Sequence, residues 1–557
     1  MAGSADFPCG LRGRTMRPTA ACLVLACAAV YAGACGAQQS GHSGDALGEV
    51  DFPVSCAAAA QPSFNQAMAL LHHMTYPQAR QAFDEVAQLD PACAMAYWGM
   101  AMTLFQPLWP TRPSPQALQQ GWQLVEAAQS RRPPTEREAL LVASAEAFFL
   151  EPAGRDYWAR IRRWEAAMQR AYAAYPQDHE VAALYALAHL AAAPVSASAR
   201  QNSDRAADIL LGIYRCNPDH PGAMHYLVHA NDTPGRERES LEITRRYERL
   251  APRNPHALHM PTHIYTRLGD WEGVIRGNLN AAEAALEHPA GEHGEWVWDE
   301  FPHAIEYLVY AYLQTGADDA SAAQIRRLLA TPQLEPSFKT AFHLASTRAR
   351  HALERHDWQE ASQLVARDAP ALDWDRFAWP EAISHFARGL GAAHLGRPAE
   401  AAAAIARLDE LERVARQAGE ELFARNIRVL RLELEAWLAH AQGQAATSLA
   451  LMQQAAELET ATPKHAVTPA PTLPAHELLG DLLMEQQRPA DALDAYRRAL
   501  EHYPRRLNAL LGAARAAGAL GDTDQARGLY RKLLALTERG TRQAVIEEAR
   551  RHAAGEP

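Results

Sequence analysis

Cysteine is scarce here. The 557 residues include seven, none of them arranged as Cys-x-x-Cys, so neither a dense disulfide framework nor a thiolate metal finger is available. Runs of β-branched residues are almost missing, which argues against strands. Lysine and arginine form no block interleaved with aromatics, and the formal charge is −11, so nucleic acid is excluded as a partner: a phosphate backbone would meet no concentrated positive surface. The apolar run at residues 20–32 is too short for a durable membrane span, and no other stretch could cross a bilayer. A Walker loop, a dinucleotide fingerprint and a Gly-x-Ser-x-Gly elbow are lacking too.

What is present points to helices. Hydrophobic residues make up 48% of the chain and alanine is abundant, while glycine and proline are spread rather than clustered, so the expected class is all-α. At the N-terminus, Arg12, Arg14 and Arg17 precede residues 20–32, and Ala32-Gly33-Ala34 supplies small residues for cleavage. Residues 1–34 therefore read as an export signal, with Cys35 as a lipid-attachment site and release into the periplasm as the other outcome of the same cut. Any membrane contact is expected through that lipid alone. Residues 35–59 form a tether and leading segment. In an oxidising compartment Cys56 could pair with Cys93; otherwise both are small buried thiols. Cys216 is expected in the core.

From residue 60 onward, helical hairpins follow one another. The best-formed spans residues 473–506, with Leu479, Gly480 and Leu483 in one helix and Ala492, Tyr496, Ala499 and Pro504 at fixed offsets in the next. Small residues let the helices approach, the aromatic fills the gap and the proline ends the second helix. This pattern resembles the tetratricopeptide repeat family, and the resemblance covers most of residues 60–540. It implies a right-handed α-solenoid: repeats over 60–459 with an irregular proline-rich insertion near 105–178, a Pro/Thr linker at 460–474, and C-terminal repeats over 475–557.

Two His-x-x-x-His pairs, His225 with His229 and His259 with His263, stand 34 residues apart, which is the period of that repeat. The resemblance assigns the first helix of each repeat to a concave groove. In that register His225, His229 and Asp232 belong to one groove helix, His256, His259 and His263 to the next, and His303, Glu306 and Tyr310 to a third. Residues four apart lie on one helical face about 6 Å apart, and a neighbouring helix about 8–10 Å away can complete a coordination shell. The candidate metal ligands are therefore His225, His229, His259, His263, His303 and Glu306, a donor set that suits zinc, iron, copper, nickel or manganese. Tyr310 or Asp232 would then serve in proton transfer. The pairs carry Tyr226 and Met260 where a zinc protease has its glutamate, so protease chemistry is not supported. Pro261 lies inside the second pair and threatens the regularity of its helix.

Other features carry less. His72 and His73 either line the start of the groove or form a surface pair. Trp98 and Trp109 stand near the N-terminal half of the groove, with core packing as the alternative, and residues 296–301 either form a lip over the cavity or cap the third helix through Asp299. The strings at residues 51–56, 90–99 and 259–265 resemble a histidine-rich branch of exported bacterial repeat proteins, which treats the groove histidines as a unit and names no substrate. Two readings stay open: a scaffold that holds a peptide or protein partner in the concave groove, and a metal-binding protein or metalloenzyme.

Overall fold

The computed structural model describes residues 46–555 apart from Arg155, Ala197, Ser198 and Glu292. The expected export signal and the lipid attachment at Cys35 lie outside the described residues.

The architecture is a right-handed α-solenoid of tetratricopeptide-type hairpins. Each helix packs on the next in sequence. The helices Glu300–Gln314, Phe338–Glu354, Ala378–His394 and Glu421–Ala441 also pack in series, each on the one before, forming an inner layer. Tyr496 shows why small residues recur: a Cβ added at Gly480 or Gly512 would fall 2.6 or 2.3 Å from its ring. Among the described residues the sheet content is one two-stranded ribbon, pairing Pro289–Ala290 with Trp296–Val297.

Three features place the site. First, the C-terminal repeats fold back onto the middle ones. Gly269 takes φ +66°, and a Cβ there would meet the Pro504 carbonyl oxygen at 2.7 Å; the Trp271 indole donates to the Arg505 carbonyl at 3.1 Å. Second, residues 461–474 form no helix and pack between the Phe338–Glu354 helix and Asp232. Arg350 donates to the carbonyl oxygens of Ala470 and Pro471, and Lys464 pairs with Asp232. Third, two apolar cores, one mostly before residue 265 and one after residue 258, meet along a layer of buried histidines.

Cys56 and Cys93 form a disulfide. Cys216 departs from its expected place in the core: it is only partly buried and is disulfide-bonded.

Candidate metal centre

Six imidazoles converge where the Pro221–Asn231, Pro255–His259, Pro261–Leu268 and Glu300–Gln314 helices meet. His225, His229 and His256 form one set, and His259, His263 and His303 a second; in each, one nitrogen per ring lies within 4.8 Å of the others. The sets adjoin: ring centroids are 6.1 Å apart for His229 and His263, and 6.2 Å for His256 and His259. Pro261 interrupts the formal helix at Met260, but Met260 stays in the helical region (φ −52°, ψ −42°). The chain thus keeps its direction, and His259 and His263 still face each other.

The outer nitrogens are fixed by their partners. His225 Nδ1 meets the His72 carbonyl oxygen at 2.6 Å, His256 Nδ1 meets Glu300 at 2.9 Å and His263 Nδ1 meets Asp232 at 2.9 Å. His259 Nδ1 faces the Asn278 side-chain oxygen at 2.7 Å, and that amide is oriented by its own donation to the Val274 carbonyl. All four partners accept, so all four Nδ1 atoms carry the proton. The inner Nε2 atoms then present bare lone pairs. Yet they meet in pairs: His225 to His256 at 3.2 Å and His259 to His263 at 3.0 Å. His229 Nε2 is buried with no hydrogen-bond partner. His303 is held by a relay in which Glu306 orients His343 at 2.5 Å and His343 accepts from His303 Nδ1 at 3.0 Å.

The electrostatics keep most of these rings neutral. Burial first, and neighbouring imidazoles second, push His225, His229, His259 and His303 well below the ordinary imidazole value. The carboxylates one layer out stay charged. Burial opposes this at Asp232, but Lys464 and Arg267 hold its carboxyl well below the usual range; Lys339 and His256 do the same for Glu300.

Several expected residues lie elsewhere. Glu306 contacts no metal-set nitrogen; its carboxylate is taken by His343, Ser346 and Arg350, one imidazole behind the cluster. Tyr310 accepts from Arg506 at 3.2 Å and packs on Trp271, and the phenol near the cluster is Tyr307, 3.3 Å from His263 Nδ1. Trp98 is core, packed on Phe52. Trp109 covers the site, with its ring 5.6 Å from His256, stacked on Trp298 and capped by the Lys339 ammonium at 3.7 Å. Asp299 makes no helix cap; Ser337 donates to it and Lys339 pairs with it. His72 and His73 are fully buried, not exposed. His72 bonds Glu180 and Tyr226, and His73 bonds Tyr247 and the Leu47 carbonyl. His220 adds to that network: its Nδ1 accepts from the Ala223 amide, so its Nε2–H faces Glu180. His72, Glu180 and His220 also bring three ligating atoms within 4.8 Å of one another, and His220 Nε2 is buried without a hydrogen-bond partner.

The residues that sequence reasoning missed are His343, Asn278, Glu300, Lys339 and Lys464. One signal was available: the chain has three lysines, at 339, 464 and 532, and two of them are buried beside this site.

Residues 483–542 match the tetratricopeptide repeat family. No curated protein matches the chain. Among solved structures, it is similar to a chain of the crystal structure of the APC/C hetero-tetramer Cut9–Hcn1. That likeness runs at 12% identity over 88% of this chain and 90% of that one, with a TM-score of 0.29.

Proposed function

We propose that this chain is a metalloprotein holding two transition-metal ions, one on His225, His229 and His256 and one on His259, His263 and His303. The observation that carries the reading is the pair of Nε2–Nε2 approaches at 3.2 and 3.0 Å between rings whose protons are committed to Nδ1. Facing lone pairs repel unless a cation lies between them or beside them. A proton is a poor candidate. It would make a buried imidazolium, burial pushes His263 below its ordinary value, and the Glu300 carboxylate beside His256 is already matched by Lys339. A metal ion satisfies both lone pairs, and the outer Nδ1 hydrogen bonds are the supports that orient metal-binding histidines.

The donors are neutral imidazoles, with the carboxylates one layer out. Such a set suits copper or zinc better than manganese, which takes oxygen ligands. Three ligands per ion leave a coordination position open, as in catalytic rather than structural sites. A cavity of about 20 Å³ borders His229, His256, His263 and His303 beneath Trp109, Lys339, Ala466 and Val467. It has room for about one water-sized ligand. The ions would act there as Lewis acid or redox centre.

The test is metal analysis of full-length protein purified without a His-tag, stripped and then reconstituted with copper or zinc. About two equivalents are expected, falling by about one in His256→Ala and by about one in His303→Ala. Less than about a tenth of an equivalent after reconstitution would discard the reading.

Export and lipid attachment at Cys35 remain part of the proposal. They are supported by residues 1–34 and by the Cys56–Cys93 disulfide, a bond that persists in oxidising compartments. A scaffold role is supported by the repeat match at 483–542, beside a cavity of about 310 Å³ lined by Trp437, Met484 and Leu511. A pull-down from envelope extract that loses its partner when Leu511 is replaced by Glu would favour it. In the middle repeats the chain's own residues 464–472 pack between the Phe338–Glu354 helix and Asp232, which argues against a peptide there.

A further inference from the structure

We propose that the two ions are copper and that the pair binds dioxygen in the small void over the histidines. The inference rests on the metal reading and deepens it, by naming the ion and the molecule it meets. The two ligand sets form one cluster. Across the sets, ring centroids are 6.1 Å apart for His229 and His263 and 6.2 Å for His256 and His259. Within a set the spacing reaches the same range, 6.5 Å for His229 and His256 and 6.3 Å for His263 and His303. Ions held by such rings sit a few ångströms apart, so one small molecule can touch both. Both sets also border one void: His229 and His256 on one side, His263 and His303 on the other.

Charge selects the ion. The two sets contain histidines alone, and no carboxylate belongs to either. The carboxylates behind them are already matched: Asp232 pairs with Lys464 and Arg267, and Glu300 pairs with Lys339. Two zinc ions would bring four positive charges into a buried layer with no anion left to meet them. Two copper(I) ions bring half of that. Size then selects the ligand. The void measures about 20 Å³, which admits a molecule near the size of water and excludes an organic substrate. Leu108, Trp109, Pro110, Ala466 and Val467 give it apolar walls, which favour an uncharged, apolar molecule. Three protein donors per ion leave a position open on each. The electron count closes without a further reactant. Each copper(I) gives up one electron, the O–O double bond becomes a single bond, and the product is peroxide between two copper(II) ions. The two negative charges of peroxide offset the two that the metals gained, and imidazole holds copper(II) more tightly than the other divalent ions of its series.

The test loads full-length protein with copper(I) under argon, then mixes it with oxygenated buffer while an electrode follows dissolved oxygen. About one dioxygen should be taken up for every two copper ions. An intense near-ultraviolet charge-transfer band should appear, and the copper(II) should stay silent in electron paramagnetic resonance, because a bridged pair couples its two spins. His256→Ala and His303→Ala each leave one set intact. Each should keep about one copper ion yet lose oxygen uptake at least tenfold, not by half, because a single copper(I) supplies a single electron. Ala466→Leu fills the void from its wall; it should keep both ions and slow uptake at least tenfold. Uptake that only halves in the one-copper variants overturns the pair, and uptake unchanged in Ala466→Leu overturns the void as its place. Should the variants misfold, resonance on the wild type decides: a full signal from isolated copper(II) after oxygenation refutes the pair. Two bound copper(I) ions with no oxygen uptake sink this inference alone, whereas copper below about a tenth of an equivalent sinks the metal reading.

Discussion

Asn278 sits one layer outside the ligands, and its amide does two things at once: it donates to the Val274 carbonyl and accepts from His259 Nδ1. Without it, His259 loses the bond that fixes its tautomer and ring angle. Asn278→Leu should therefore lower affinity at the second set by about 10–100-fold, the usual effect of losing such a support, with the first set unchanged. Competition against a chelator of known affinity measures both constants, and equal loss at both sets would refute the local role. A different residue-scale feature is unrelated to metal. Glu433 is fully buried, and neither carboxylate oxygen has a partner. Burial, then the nearby Glu459 charge, raises it well above the ordinary 4.5, and burial raises Glu459 to about 8. Between about pH 4.5 and 8 the folded state keeps protons that the unfolded chain releases, so stability falls as pH rises, by about 1.4 kcal/mol per unit for each group. Below that window both states are protonated and the penalty vanishes. Glu433→Gln should flatten the fall and melt higher than the wild type at pH 8. Parallel pH profiles for the two proteins would contradict the assignment.

At the level of elements, four helices carry the proposed ligands, and irregular segments cover them. The 34-residue spacing exposed the ligand helices because neighbouring repeats copy a position; His225 and His259 recur in one register, as do His229 and His263. The repeat register, not the spacing, put His256 on the second groove helix, as a groove residue and not a ligand, and His303 on the third. The cover was not legible. Trp109 lies in a proline-rich loop and Lys464 in a stretch without periodicity, and both reach the site through tertiary packing that no local pattern encodes. His343 escaped for a related reason: it sits 40 residues after His303, outside the 34-residue register, although its helix packs directly on the one carrying His303. Glu306 was assigned to the metal because three residues after His303 is ligand spacing; the next helix brings His343 and Arg350 onto its carboxylate instead. The covering role of residues 464–468 is open to test. Replacing them with Gly/Ser of equal length removes the Lys464–Asp232 ion pair and the Ala466 and Val467 wall of the void. Metal content at equilibrium should stay near two, while release to excess chelator should quicken by about tenfold or more, because access and not ligation has changed. An unchanged release rate would show that the segment does not guard the site.

Over the whole molecule, the histidine layer lies at the seam between two apolar cores. Hydrophobic burial on either side stabilises each core alone. The seam carries imidazoles, charged pairs and a covering tryptophan beside apolar contacts such as Leu241, which packs on both cores; on the metal reading its facing inner nitrogens repel one another until a cation joins them. Stability of the assembled solenoid should therefore be linked to metal concentration rather than fixed by packing alone. An ion that binds only the folded chain stabilises it by about 4 kcal/mol at a thousandfold excess over its dissociation constant, and each further tenfold adds about 1.4 kcal/mol per site. The melting midpoint of stripped protein should climb steadily with free copper or zinc. A variant with leucine at 225 and 256 should lose half of that climb. A midpoint indifferent to metal would mean that the imidazoles already satisfy one another through shared protons, and the seam would be a hydrogen-bonded layer and not a metal centre.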